Sequence, residues 1–188
     1  MLAVSDLVTS LRYALGDMQG VTISDYELIE AVNNAARLLF SRMGQRFIFA
    51  ARKKQVLIID DGETSTPLPS NFNGVYKVWN GNKELSEPVT YSPDSACEYR
   101  ISGNNFYAPA GTYGIEYYYL PAKVYNLTDY LDAPDSVSPY LANIAEALLK
   151  KNAELVSQEI ELCCDALAGA NTSHYPYIGP VEILGGRV

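Results

Sequence analysis

The sequence is poor in the residues on which most catalytic and metal chemistry depends: one histidine, three cysteines and one tryptophan in 188 residues. A lone imidazole, His174, cannot complete a Ser/His/Asp or Cys/His nucleophilic set unless it acts by itself from a Pro/Gly-rich tail, so it reads as a tail or interface residue. Cys163 and Cys164 are adjacent and lack both CxxC spacing and a second ligand pair, which argues against zinc. Neighbours on a helix point about 100° apart, so a shared metal is disfavoured and the thiols read as small core residues. No GxxxxGK[ST] or GxGxxG run is present to cradle a phosphate. Asp60-Asp61-Gly62-Glu63 lacks the alternating ligands and distal Glu of a calcium loop and reads as a turn. Glu116, Asp129 and Asp132 are acidic residues in an acidic chain, and without geometry they are not a general acid and base. No cofactor is implied.

Positive charge is also scarce. Fourteen Lys and Arg against 22 Asp and Glu leave a formal net charge of -8. Gripping a polyanion needs clustered cations that displace counterions, and the one basic run, Arg52-Lys53-Lys54, is short. Sequence-specific nucleic-acid binding is therefore not expected, although an acidic wall suits DNA that must slide past without sticking. No apolar run approaches the roughly 18 residues of a membrane span, and the start, Met1-Leu2-Ala3-Val4-Ser5-Asp6, lacks the features of a signal peptide. The expectation is a chain made and kept in a cytoplasm, with no membrane partner.

What is present is a foldable composition, 48% hydrophobic and 19% charged, at a length that suits one domain with a sizeable core. The spacing predicts a first helix capped by Ser5, with Leu7, Val8, Leu11 and Leu15 inward and a stop at Gly16. Ser24-Asp25-Tyr26-Glu27 has the form of a capping box, followed by a stripe of Leu28, Val32, Ala35, Ala36, Leu39 and Phe40 that ends at Gly44. Residues 47–121 turn β-rich, with strands expected at Phe47–Ala50, Gln55–Ile59, Val75–Trp79, Tyr99–Ile101 and Ile115–Leu120. Asp61-Gly62, Asn80-Gly81-Asn82 and Gly103-Asn104-Asn105 punctuate them and favour antiparallel hairpins.

One long helix is predicted over 138–168, capped by Ser138 with Pro139 at its first position, or starting slightly earlier at Asp135 or Ser136. It carries two apolar stripes. Leu141, Ala145, Leu149, Val156, Ile160, Cys163 and Leu167 form one, while Tyr140, Ile144, Leu148, Leu155 and Leu162 form the other. A second stripe implies either deep burial or a neighbouring subunit. The fold class is therefore α+β: two short N-terminal helices (1–44), a small antiparallel β-rich middle, one long C-terminal helix and an extended tail.

The tail, 170–188, is too rich in Pro and Gly for a helix and too apolar for a solvated coil, with Tyr175, Tyr177, Ile178, Val181, Ile183 and Leu184 as its anchors. Such a segment wants an acceptor, either its own body or another protein, and extended apolar termini often dock by strand addition or in a groove. Fifteen tyrosines are the other unusual feature. In 115–120, strand alternation sets Ile115, Tyr117 and Tyr119 against Glu116, Tyr118 and Leu120. This pattern suits a core or interface face better than an aromatic platform for sugar.

Several segments in ordered succession carry a family likeness. They are Asp6-Leu7-Val8; Arg12-Tyr13-Ala14-Leu15-Gly16-Asp17; Ser24 to Leu28 leading to Asn33-Asn34-Ala35; Leu68-Pro69-Ser70-Asn71-Phe72; Tyr99 to Asn104 before Phe106-Tyr107; and Ile115 to Pro121. Together they resemble the head-to-tail adaptors of tailed phages, typified by podovirus tail tubular and portal-docking adaptor proteins. The resemblance implies a single adaptor domain over 1–169 and a ring, usually dodecameric, beneath the portal. It also implies tail or stopper proteins as further partners, DNA passing through the channel without sequence-specific contact, and residence in the virion neck after assembly in the host cytoplasm. Residues 170–188 would then dock on the portal or a neighbour, and Tyr140, Ile144, Leu148, Leu155 and Leu162 would meet the next subunit. Another neck component, such as a stopper or tail-completion protein, or a tyrosine-based carbohydrate- or peptide-binding module, is the alternative; a small acid-dependent hydrolase is a more distant one.

Overall fold

Ser24 caps the second helix as its spacing predicts: its hydroxyl accepts the Glu27 amide at 3.3 Å, and the Glu27 carboxylate returns to the Ser24 amide at 2.9 Å. In the computed structural model, which describes residues 1–85, 92, 93, 95 and 97–171, this helix is α2 (Asp25–Gln45). It forms the centre of a helical layer. Leu28, Val32, Ala35, Leu39 and Phe40 are buried along its stripe, and Met43 extends it. The helix α1 (Val4–Leu15) lies beside it, with Val4, Leu7, Val8 and Leu11 buried and Gly16 reversing the chain at φ 71°.

The start of α1 corrects the Ser5 expectation. The helix begins at Val4 with no side-chain cap, because the preceding strand β1 (Leu2–Ala3) pairs with β9 (Tyr130–Leu131). The Val4 and Ser5 amides then donate to the Asp129 and Leu127 carbonyls, both at 3.1 Å. Backbone from a distant segment thus satisfies two first-turn amides, and the helix starts one residue ahead of Ser5, which leaves that side chain no capping position. Gly44 likewise does not end α2. The helix continues to Gln45, and Phe47, at φ 58°, makes the reversal; residues 49–51 then form a single 3-10 turn in place of the strand expected over 47–50.

The main sheet holds β2 (Arg52–Ile59), β4 (Phe72–Asn80), β5 (Lys83–Leu85) and β8 (Gly111–Tyr119), in the order β2-β8-β4-β5 and antiparallel throughout. A second sheet, β3 (Ser65–Pro67), β7 (Asn105–Tyr107) and β6 (Arg100–Ser102), stacks Tyr99 on Phe106 and sets Phe106 against Tyr113. Turns at Gly81 and Gly103, both at φ 58°, make the local hairpins β4–β5 and β6–β7 as anticipated. The turn at Asp61-Gly62 instead passes the chain from the main sheet to the small one. The central pairings of β8 with β2 and β4 are long-range.

The single helix expected over 138–168 is a helical hairpin. Helix α3 (Ser138–Leu149) starts after a 3-10 turn at Asp135–Val137 with no side-chain cap; α4 (Ala153–Asn171) follows. Between them Lys151 takes φ 54°, and the Asn152 side chain accepts the Leu155 amide at 3.1 Å, capping the new helix. Asn143 reaches Glu159 across the turn at 3.0 Å. Arg46 and Arg42 at the end of α2 both clasp Glu161 of α4, and Arg46 also pairs with Asp165. Cys163 and Cys164 are buried as small core residues, and burial pushes the Cys163 thiol up to about 12. Cys97, by contrast, is exposed, with the Lys83 ammonium 2.9 Å from its sulfur.

The loop between α1 and α2 is organised by one carboxylate. Asp17 accepts the amides of Val21, Thr22 and Ile23 at 2.9–3.1 Å and Arg12 at 3.0 Å, while Arg12 also reaches Asp25 at 2.5 Å. The Thr22 and Ile23 amides, then Val21 and Arg12, hold Asp17 below its ordinary 3.8 against the opposing effect of burial. A depressed acid stabilises the fold above its unfolded pKa and loses that contribution as pH falls through the folded value. Asp17→Asn should therefore lower the melting temperature at neutral pH, and the gap from the wild type should shrink in acid well below 3.8. Thermal melts of both proteins across this range provide the check; a gap independent of pH would show that the charge is not what Asp17 contributes.

Candidate functional site

The chain brings most of its unusual residues together around β8. Tyr117 and Tyr119 point towards the core: the Tyr119 ring meets Phe40 edge-on at 5.1 Å and its hydroxyl donates to the Asp132 carbonyl at 3.0 Å. The Tyr117 hydroxyl donates to Asn71 at 3.1 Å. Burial pushes both phenols above their ordinary value, Tyr119 the further. Tyr118, on the other face, is also buried, against Phe47 and Tyr76. These rings are packing, so β8 offers no open tyrosine platform for a sugar.

The carboxylates singled out in the sequence are each engaged structurally. Asp129 accepts the Tyr125 and Asn126 amides and is thereby held below its ordinary value. Asp132 is paired with Lys53. Glu116, only 7% exposed, lies between Arg52 at 3.7 Å and Lys54 at 3.9 Å. No cluster that could hold a metal ion occurs among the described residues.

Glu116 marks the middle of the outward face of the main sheet. Register places Glu116 between Lys54 and Lys77, and Gly114 between Val56 and Trp79. Arg52 lies flat on Tyr76, its guanidinium carbon 3.5 Å from the ring centroid, and Nη2 donates to the Phe47 carbonyl at 2.7 Å. The Trp79 indole lies over Gly114, where a Cβ would come within 2.1 Å of the ring. Phe49, Arg52, Lys54, Tyr76, Lys77 and Trp79 thus wall an open groove of about 360 Å³ with Glu116 in its wall. Beyond it Val56 and Ile58 remain 61% and 60% exposed. The groove was not anticipated from sequence; the alternation of Arg52, Lys54, Val56 and Ile58 was the available signal.

The two helical stripes separate less cleanly than expected. Ile144 has no exposed surface and belongs to the subunit's own core, which removes it from the residues expected to meet a neighbour. Tyr140 and Leu148 are half-buried against the same core. Leu155 is half-buried and Leu162 is 57% exposed. A break at 150–152 resets the helical phase, so positions seven apart across it share no face. A separate exposed apolar group, Tyr13, Met18, Val21 and Tyr26, surrounds the loop fixed by Asp17. Tyr175, Tyr177, Ile178, Val181, Ile183, Leu184 and His174 lie outside the described residues.

The model of the SU10 adaptor protein family matches residues 2–169, from β1 almost to the end of α4. The chain belongs to that family. It is accordingly a phage adaptor, a structural protein of the head-to-tail junction. None of the curated proteins matches it. In this adaptor the Arg12-to-Asp17 and Ser24-to-Leu28 segments that carried the likeness are the two halves of the α1–α2 joint: Arg12, Gly16 and Asp17 close the loop, and Ser24 and Glu27 begin the next helix. No described helix is long and apolar enough to cross a membrane.

Three substitutions test these placements. Ile144→Ala should cost about 2–5 kcal/mol in denaturant unfolding of the isolated adaptor, whereas Leu162→Ser should cost well under 1 kcal/mol, roughly a surface change. Equal costs would mean that the two residues face the same core. Gly114→Ala should drive the indole of the chain's one tryptophan off the strand, and a red-shifted emission with little change in far-ultraviolet dichroism is the expected signature.

Proposed function

We propose that this adaptor forms a homo-oligomeric ring beneath the portal, prolongs the DNA channel and offers the surface on which tail or stopper proteins assemble. The observation that carries this reading is the family match over 2–169, which makes the chain a phage adaptor. The charge supports it: at -8, a channel wall repels the passing duplex and disfavours arrest. The role is structural, without catalysis, and the ring resides in the virion neck after assembly in the host cytoplasm.

Residues 170–188 are the docking segment in this proposal. Pro176 and Pro180 lessen the ordering entropy lost on binding, and Gly179, Gly185 and Gly186 permit close backbone approach. Tyr175, Tyr177, Ile178, Val181, Ile183 and Leu184 anchor it on the portal or on a neighbour, and repetition around a ring multiplies a modest single contact. Tyr140, Leu148, Leu155 and Leu162 retain enough exposure for a subunit contact, Leu162 most of all. The free subunit, acidic and without an apolar heptad seam, stays monomeric or weakly associated at micromolar concentration until the portal templates it.

A chain truncated after Gly169 should melt like the full chain but lose binding to purified portal in co-sedimentation. Retained binding would exclude the docking role, and a large fall in melting temperature would assign the segment to the subunit's own core. If the full chain ignores isolated portal but binds a portal already carrying another adaptor, it is a stopper or tail-completion protein instead.

A further inference from the structure

A ring whose subunits are related by rotation alone needs two different patches on each subunit, one complementary to the other. Resting on the ring reading above, we propose that the groove on the outward face of the main sheet receives the acidic turn Asp60-Asp61-Gly62-Glu63 of a second copy of this chain.

The groove concentrates positive charge in a chain that is otherwise acidic. Arg52, Lys54 and Lys77 face it, opposed by Glu116 in its wall and by Glu84, which holds Lys77 at 3.2 Å. Arg52 is fixed by Tyr76 and the Phe47 carbonyl, and its Nε has no acceptor within the described residues. Lys54 is mobile enough to meet an incoming carboxylate, because its side chain is 66% exposed and its contact to Glu116 is a long 3.9 Å. Tyr76, Trp79 and Phe49 supply apolar walls against which a turn backbone packs. Among the described residues, three cations less two carboxylates leave too small a surplus to hold a phosphate backbone. They suit a compact tip that presents its carboxylates one by one.

The turn supplies that tip. Asp60, Asp61, Gly62 and Glu63 are all exposed, and none of the three carboxylates takes part in an ion pair among the described residues. The Glu63 amide closes on the Asp60 carbonyl at 3.0 Å, and Gly62 at φ 91° makes the bend tight. The turn cannot reach its own groove. Strand β2 is paired with β8 along its whole length, from Arg52 opposite Tyr118 to Ile59 opposite Gly111, and eight extended residues hold its ends about 25 Å apart. Charge complementarity that one copy cannot satisfy within itself is satisfied between copies, and the separation of the two patches gives a head-to-tail contact that repeats. Val56 and Ile58, on the same face between groove and turn, are covered in that arrangement.

The test uses the full chain in two charge reversals, a groove variant K54E/K77E and a turn variant D60K/D61K, each checked for an unchanged dichroism spectrum. Self-association is followed by sedimentation velocity from micromolar to millimolar concentration at low and moderate salt, and ring formation by electron microscopy with portal added. Each reversal alone should weaken association by about tenfold or more. An equimolar mixture should restore assembly in alternating copies, because the intact groove meets the intact turn and the reversed groove meets the reversed turn, and all four reversals in one chain should restore it likewise. Tryptophan emission should shift on association in the wild type, since Trp79 lines the groove. If the reversals leave association unchanged while rings still form on portal, this interface is wrong and the ring reading stands. If the groove variant self-associates normally but fails to bind portal or DNA, the groove belongs to that partner. A wild type that forms no oligomer under any of these conditions overturns both readings.

Discussion

Strand β8 is the element on which the rest of this adaptor depends, because it is buried on both faces along nearly its whole length. It sits between β2 and β4, so its backbone groups are paired on either side, and Tyr113, Ile115, Tyr117 and Tyr119 face the core while Glu116 and Tyr118 face the outer layer. A polar strand could not occupy that place, and a purely aliphatic one would leave hydroxyl partners unmet. Tyrosine reconciles the two demands: the ring fills the core, while its hydroxyl reaches Pro109, Asn71 or Asp132 at the boundary. Phe40 against Tyr119 then joins the sheet to α2, and through α2 to the other helices. Glu116 is the exception that such burial permits. A carboxylate at that depth is tolerated because Arg52 and Lys54 stand beside it, and this requirement is what gathers cations on the outer face.

Local signals were legible wherever neighbouring residues decide the outcome. The capping box at Ser24, the reversal at Gly16, the stripe of α2 and the hairpin turns at Gly81 and Gly103 all follow from side chains within a few positions. Where a distant segment competes, sequence reading fails for a physical reason. Ser5 loses its capping role because pairing with Tyr130–Leu131 and the carbonyls of Leu127 and Asp129 start the helix at Val4, one residue ahead of it, and nothing within the first 20 residues announces them. Phe47 and Lys151 adopt left-handed backbone, where glycine would have been the readable sign. Lys151 accounts for the largest misreading. Lys150-Lys151-Asn152 carries no proline or glycine, so a helix hairpin resembled one long helix with two stripes.

That break alters the reading of the candidate interface as well. Along an unbroken helix, Ile144, Leu148, Leu155 and Leu162 would share one face at spacings of four and seven. Folded back on itself, the hairpin buries Ile144, half-buries Leu148 and leaves Leu162 open. The apolar surplus that suggested a neighbour was therefore partly the content of the α3–α4 contact itself. Besides Leu162, unpartnered surfaces lie around the loop that Asp17 organises and on the outward face of the sheet. The first is four exposed apolar side chains on a backbone fixed by one carboxylate, which makes it rigid as well as greasy. Rigidity lowers the entropy that a contact there has to overcome.

The distribution of cations links the acidic composition to assembly. Arg12, Arg42, Arg46, Lys53, Lys123 and Lys150 each pair with a carboxylate in the same helical body or across to the sheet. They hold elements together and present little positive field outward. Arg52, Lys54 and Lys77 gather on one face, with only Glu116 and Glu84 paired against them among the described residues. At physiological salt, fields decay over about 8 Å, so two approaching copies first sense a general excess of negative charge and repel. Only an approach that brings an acidic turn within that distance of the groove reverses the sign locally. Repulsion at range with attraction at one contact favours a single relative orientation over random aggregation, and this is the condition for a closed ring.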